Sequence, residues 1–150
     1  MKNLLYTVDD CSFIDFEFNK IQDHSFMIDP LQGNQSIPFE VKRMYYIYDI
    51  PLLMSRGGHA HKNLQQVVIP LQGSFSLRLD DGHKTREVRL SIPTIGLHFI
   101  PGIWREVYDF TPGALCLVLA SEVYEERDYI RNYEEFLEYR LPAISDLARL

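Results

Sequence analysis

The stretch Ser55–Gly73, SRGGHAHKNLQQVVIPLQG, decides how the chain is read. His59 and His61 stand two residues apart. On a strand, residues i and i+2 project from the same face, so the two imidazoles point together and Ala60 points away. Gly57 and Gly58 just before them permit a turn or a close approach of backbone to a ligand. Arg56 and Lys62 flank the pair with positive charge. The run QQVVIPLQG that follows is short, apolar and closed by Gly73, the pattern of a buried strand.

Outward from this stretch, most of the chain reads as short strands. VKRMYYIYDI (Val41–Ile50) is rich in aromatic and β-branched residues. In SFSLRLDDGHKTREVRLSI, Phe75, Leu77 and Leu79 face one way and Ser76 and Arg78 the other; Val88, Leu90 and Ile92 repeat the alternation. Asp81-Gly82 between them marks a turn that needs positive φ. IGLHFIPG, REVYDFTPG and ALCLVLASEVY continue as strands cut by Pro and Gly. Close strand spacing with polar hairpins predicts an all-β barrel or jelly roll. The end of the chain differs. In EERDYIRNYEEFLEYRL, Tyr129, Ile130, Tyr133, Phe136, Leu137, Arg140 and Leu141 recur at helical spacing, which predicts an amphipathic helix stopped by Pro142.

A length of 150 residues predicts one domain spanning 1–150. The net charge of −6, without a basic block, argues against a nucleic-acid partner. No apolar run approaches the ~20 residues of a membrane span. MKNLLYTVDD lacks the charged and apolar regions of a secretion signal, so a soluble cytoplasmic protein without a membrane partner is expected. Cys11 and Cys116 lie far apart in apolar surroundings and are read as buried free thiols.

The spacing of Ser55–Gly73 resembles the first cupin motif, in which a glycine and a histidine pair precede a glutamate and a second glycine. Gln66 stands in the glutamate slot, and Gly73 follows after six residues. The second motif ends in a Pro-Gly turn and a further ligand, usually histidine; here IPGIWREV supplies Pro101, Gly102 and then Arg105. Two of the four ligand slots thus hold an amide, a weak ligand, and a guanidinium, a cation that stays protonated. A fixed cation at that range opposes a divalent ion, so no metal is expected. A mouth lined with imidazoles, arginines and tyrosines suits an anionic ligand and proton transfer near neutral pH.

IPFEVKRMYYIYD, RGGHAHKNLQQV, LDDG, GLHFIPGIWREVYDF and LVLASEVYEERDYIRNYEEF, in this order, resemble the dTDP-sugar 3,4-ketoisomerases of the WxcM-like cupin group. The resemblance implies a cupin-type barrel or jelly roll with a C-terminal helix, a homodimer that is often strand-exchanged, and no cofactor. It implies a dTDP-linked 4-keto-6-deoxy sugar as substrate, whose ketone moves to carbon 3. Ketone migration needs a base beside the carbonyl, an enediol and a returned proton, and His59 and His61 fit as base and acid in either order. A tyrosine on the preceding strand should polarise the carbonyl. Tyr45 and Tyr46 alternate, so only one lines the barrel, and Tyr46 is expected in the catalytic set with Tyr45 on the substrate. Arg56 is the first choice for the diphosphate, since its donor fork suits phosphate; Arg43 and Lys62 come next. Gln66 and Arg105 join the substrate-binding set from their motif slots, and Trp104 either stacks on thymine or packs in the core. His98 is read as a satisfied structural histidine, and His24 and His83 as turn residues. DHSFMIDPLQG lacks the Arg-Gly that family members often carry near the N-terminus, and some relatives have histidine where Arg105 stands; both leave the product configuration at carbon 4 open. The alternatives are a non-catalytic sugar-nucleotide-binding cupin, a dTDP-sugar epimerase and a metal-dependent cupin enzyme.

Overall fold

A computed structural model describes residues 6–16, 18–20, 26–28 and 36–149. Twelve strands are present among them: β1 Phe13–Asp15, β2 Phe18–Lys20, β3 Phe26–Ile28, β4 Arg43–Tyr48, β5 Arg56–His61, β6 Gln66–Gln72, β7 Phe75–Asp80, β8 Thr85–Leu90, β9 Ile95–Phe99, β10 Trp104–Tyr108, β11 Leu115–Ala120 and β12 Tyr129–Ile130. One helix, α1, runs Tyr133–Leu147. Two five-stranded antiparallel sheets, β1-β9-β6-β11-β4 and β12-β5-β10-β7-β8, enclose the main core; β2 and β3 pair separately. The core between the sheets holds Phe75, Leu77, Leu79, Val88, Leu90, Leu97, Phe99 and Val118. The chain is therefore a two-sheet β-sandwich with a C-terminal helix, as its alternation predicts and as the cupin resemblance implies.

The sheet registers place the site. Across the first sheet, Tyr45 pairs with Val118, Val118 with Val68 and Val68 with Leu97. The next row inward is Arg43, Ala120, Gln66 and Phe99. Side chains along these rows share the inner face. The outer face of β6 is buried as well: Val67 and Ile69 pack with Phe16, Ile37, Leu117 and Leu119, which explains a nearly continuous apolar run.

The outer face of the second sheet is closed by α1, where Ala60, Trp104, Ile130 and Phe136 form a small core. The predicted helix is displaced on both ends. Asn132 caps it, accepting from the Glu135 N–H at 3.0 Å, so Tyr129 and Ile130 are free to pair with His61 and Ala60 as β12. Pro142 lies inside α1 and does not stop it. The helix continues because Ala143 is buried and Ile144 packs close to the β7–β8 turn. Gly82, at φ +87°, accepts that approach: a Cβ there would sit 3.2 Å from Arg140 and Ile144 atoms. Ile92 falls beyond β8 and is exposed, contrary to the predicted alternation. No helix among the described residues is long and apolar enough to cross a membrane. His24 lies outside the described residues.

Candidate active site

The site forms where β5 meets β10. Gly57 and Gly58 both adopt positive φ, +89° and +72°, and the β5–β10 register shifts between Arg105 and Glu106. This is a bulge: His59 pairs with Arg105 while Gly57 pairs with Glu106. Only glycine serves at position 57, where a Cβ would lie 2.7 Å from the Arg105 carbonyl oxygen. The diglycine thus aims His59 at the inner face opposite Arg105.

A cavity of about 60 Å³ opens there, with Tyr45, Gly57, His59, Gln66, Phe99 and Arg105 in its wall. His61 shares the inner face but lies behind His59, at 0% exposure; the two rings meet edge-on with centroids 4.9 Å apart. Tyr129 on β12 closes over both, 4.2 Å from His61 and 5.0 Å from His59. His61 Nδ1 lies 3.1 Å from Asp128 Oδ2. Its Nε2 is buried with no hydrogen-bond partner among the described residues.

Arg105 is 3% exposed, and its guanidinium lies over the Phe99 ring at 5.0 Å. None of its three guanidinium nitrogens has a hydrogen-bond partner among the described residues. Burial lowers its pKa to about 10, which leaves it cationic at neutral pH. The electrostatic result is a pair of neutral imidazoles. Burial, then the Arg105 charge, pushes His59 down to about 3. The same two causes, in the same order, hold His61 well below the ordinary histidine range. Burial raises the Tyr45 hydroxyl, so it stays a phenol. Gln66 Nε2 donates to Tyr45 Oη at 3.0 Å, leaving the Tyr45 O–H proton for another acceptor. The amide in the expected glutamate slot therefore orients a phenol.

The alternation of β4 decides between the two tyrosines. Tyr45 faces in; Tyr46 faces out, 60% exposed and beside Tyr48. Tyr46, expected in the catalytic set, lies outside the cavity and Tyr45 lines it, because the inward phase of the strand begins at Arg43. Arg43 shares that phase and lies against Tyr45 and Tyr124. Trp104 is turned away from the cavity. It alternates with Arg105 and packs on Tyr133 and Phe136 beneath α1, beside a cleft of about 260 Å³ with Arg78, Asp80 and Glu106. Of the two expectations for Trp104, the packed position is the one seen. Lys62 is exposed beyond the end of β5 and is not brought to the cavity. Arg56 is exposed one residue before Gly57 and donates to the Ser55 carbonyl at 2.8 Å. His98 bonds Gln65 Oε1 through Nε2 at 2.8 Å, away from the cavity. Cys11 and Cys116 are buried and free.

Comparison with known proteins agrees with this fold. Residues 9–141 match the FdtA family model, described as WxcM-like, C-terminal. The chain belongs to the WxcM-like family. Among curated relatives, a TDP-4-oxo-6-deoxy-α-D-glucose-3,4-oxoisomerase from Aneurinibacillus thermoaerophilus is 43% identical over 81% of this chain and 88% of its own. A 3,4-ketoisomerase from Helicobacter canadensis superposes with a TM-score of 0.83 at 42% identity, covering 87% of this chain and 97% of that one. The sugar 3,4-ketoisomerase QdtA from Thermoanaerobacterium thermosaccharolyticum, in complex with TDP, gives 0.84 at 39%, covering 89% and 96%. A 3′-monoepimerase from Streptomyces bikiniensis shares the fold alone, at 12% identity and a TM-score of 0.66, covering 79% and 67%.

Asp128 and Tyr129 went unread in the sequence as site residues. Tyr129 was absorbed into the helical stripe. The Asn132-x-x-Glu135 capping pattern is the signal that starts the helix later and frees Tyr129 to pair beside His61.

Proposed function

We propose that the protein is a sugar-nucleotide 3,4-ketoisomerase whose substrate is a dTDP-linked 4-keto-6-deoxyhexose and whose proton transfers run on imidazole. One observation carries the site assignment: neutral His59 and cationic Arg105 stand in register across one cavity, with the Tyr45 hydroxyl beside them. Support for the substrate comes from a histidine-to-asparagine variant of the Thermoanaerobacterium enzyme, a structure in complex with TDP-4-keto-6-deoxyglucose that is 38% identical to this chain.

The reaction removes one proton from C3 and one from its hydroxyl, and delivers one to C4 and one to its oxygen. His59, unprotonated at rest, takes the C3 proton as the C3–C4 double bond forms. The former carbonyl oxygen gains charge, which the Tyr45 O–H and Arg105 stabilise until it takes the O3 proton, relayed by His61. Loss of the O3 proton then forms the C3 ketone, while C4 recovers a proton from the His59 imidazolium. His61 is the second imidazole, suited to the oxygen-bound proton. Developing negative charge beside Arg105 relieves the repulsion that depresses both histidines, so each becomes a better base as the enediolate forms. The same cation opposes a divalent ion between the imidazoles, and Gln66 is committed to Tyr45, so the assigned chemistry uses neither metal nor cofactor. The sugar's reacting edge is assigned to the cavity, and the diphosphate to the exposed Arg56 nearby.

The chain is read as a single cupin unit working as a homodimer, with the exposed Met44, Tyr46 and Tyr48 of the edge strand β4 among the surfaces to be covered. The test is His59→Asn. It should abolish ketone migration while retaining dTDP binding by calorimetry. Full turnover would remove His59 from the mechanism; binding without turnover by the wild-type protein would favour a non-catalytic module.

A further inference from the structure

We infer that Asp128 is a positioning residue that fixes His61 as the Nδ1–H tautomer and so leaves its Nε2 lone pair as the acceptor on the inner face. The inference rests on the ketoisomerase reading for its catalytic consequence, though not for the tautomer itself.

Asp128 ends a short 3-10 turn, Glu126–Asp128, and its backbone is anchored on β5's exit: its carbonyl accepts from the Lys62 N–H at 3.0 Å. Its side chain then receives three donors from the same short segment. Oδ1 accepts from the Asn63 N–H at 2.8 Å, and Oδ2 from the Leu64 N–H at 3.2 Å. Oδ2 also lies 3.1 Å from His61 Nδ1. An ionised carboxylate only accepts, so the proton of that contact belongs to Nδ1. A neutral imidazole carries one N–H, and Nε2 is then bare. That atom is buried with no partner among the described residues. A bare lone pair enclosed on the inner face beside His59 is a costly arrangement unless a donor arrives there. His61 stands behind His59 and outside the cavity wall, so the fitting donor is a water that relays a substrate hydroxyl's proton past His59. The opposite tautomer would present an N–H, which cannot take a proton from that hydroxyl. Tyr129 on His61's flank restricts the ring further: their centroids lie 4.2 Å apart with planes at 62°.

Asp128 also ties down the Lys62–Leu64 turn, and Asp128→Asn keeps part of that tie. The amide oxygen still accepts from the Asn63 N–H, while the NH₂ takes the place of Oδ2, gives up the Leu64 N–H bond and becomes a donor to His61. His61 Nδ1 must then accept, and the proton moves to Nε2. Nitrogen-15 NMR of the histidine side chains should show wild-type His61 neutral with Nδ1 protonated, assigned by its loss in His61→Asn, and Nε2 protonated in Asp128→Asn. Turnover should fall by about 10²–10³, within the range of a lost proton-transfer group, with KM within about threefold of wild type. The inference is overturned if wild-type His61 carries its proton on Nε2, or if folded Asp128→Asn keeps its turnover within threefold. The wild-type tautomer needs no variant, so a misfolded Asp128→Asn leaves the claim open to refutation. Wild-type protein that moves no ketone would overturn the reaction reading while the tautomer is judged separately.

Discussion

Replacing Tyr45 with Phe removes one oxygen that has two tasks, and their magnitudes separate. As an acceptor, Tyr45 Oη satisfies Gln66 Nε2, which is 3.0 Å away on a residue only 3% exposed. Orphaning a buried donor costs about 1–3 kcal/mol, so Tyr45→Phe should lower unfolding stability by that amount. As a donor, the hydroxyl steadies the charge developing on the substrate carbonyl. Loss of one such donor costs about 10²–10³ in kcat, or ~2.7–4 kcal/mol. Arg105 remains as a second source of stabilisation, which favours the lower end. The double variant Tyr45→Phe with Gln66→Leu removes the orphan as well as its partner. It should recover much of the stability and none of the activity, because paired apolar replacement is nearly neutral. Tyr46→Phe is the control. Its side chain is 60% exposed on the far face, so stability should move by less than ~0.5 kcal/mol and kcat should not change. Urea denaturation and a steady-state turnover assay measure the two effects. Wild-type kcat in Tyr45→Phe, or a large loss in Tyr46→Phe, would refute the reasoning.

Arg105→Met should abolish turnover yet leave the fold as stable or more stable, because a buried cation without protein partners costs more than it returns; a loss of several kcal/mol in chemical denaturation would assign the arginine a structural task. Acid should weaken the fold early. His59 titrates at 6.5 when unfolded and at about 3 when folded, so the unfolded state binds more protons between those values. Stability is complete above pH 6.5 and falls as pH drops toward 3, by roughly 1.5–2 kcal/mol per such histidine at pH 5; urea midpoints in His59→Gln should fall less steeply, and equal slopes would contradict the assignment. Gly57→Ala should destabilise more than Gly58→Ala, since both need left-handed backbone but only the former drives a Cβ into the Arg105 carbonyl at 2.7 Å. The reverse order in denaturation would show the bulge is drawn wrongly.

Much of the site was legible from residue type and parity. The i, i+2 spacing put His59 and His61 on one face, and the motif slots put Gln66 and Arg105 near them. What parity alone does not settle is phase. Val41–Ile50 alternates whichever tyrosine faces inward, and only the pairing of Tyr45 with Val118 fixes it. Parity places Trp104 as well: it adjoins Arg105 in sequence, and adjacency on a strand means opposite faces. Local propensity makes Pro142 a helix stop, but burial of Ala143 just beyond it outweighs that preference. Asp128 lies 67 residues from His61, and no local pattern announces such a contact.

The most direct measurement is a carbon-13 NMR time course of the purified protein with dTDP-4-keto-6-deoxyglucose. The ketone resonance should leave C4 and appear at C3, in wild-type protein and not in His59→Asn. A carbonyl that stays on C4, whether the sugar is unchanged or merely inverted at a neighbouring carbon, would contradict proton shuttling between the two carbons at this site.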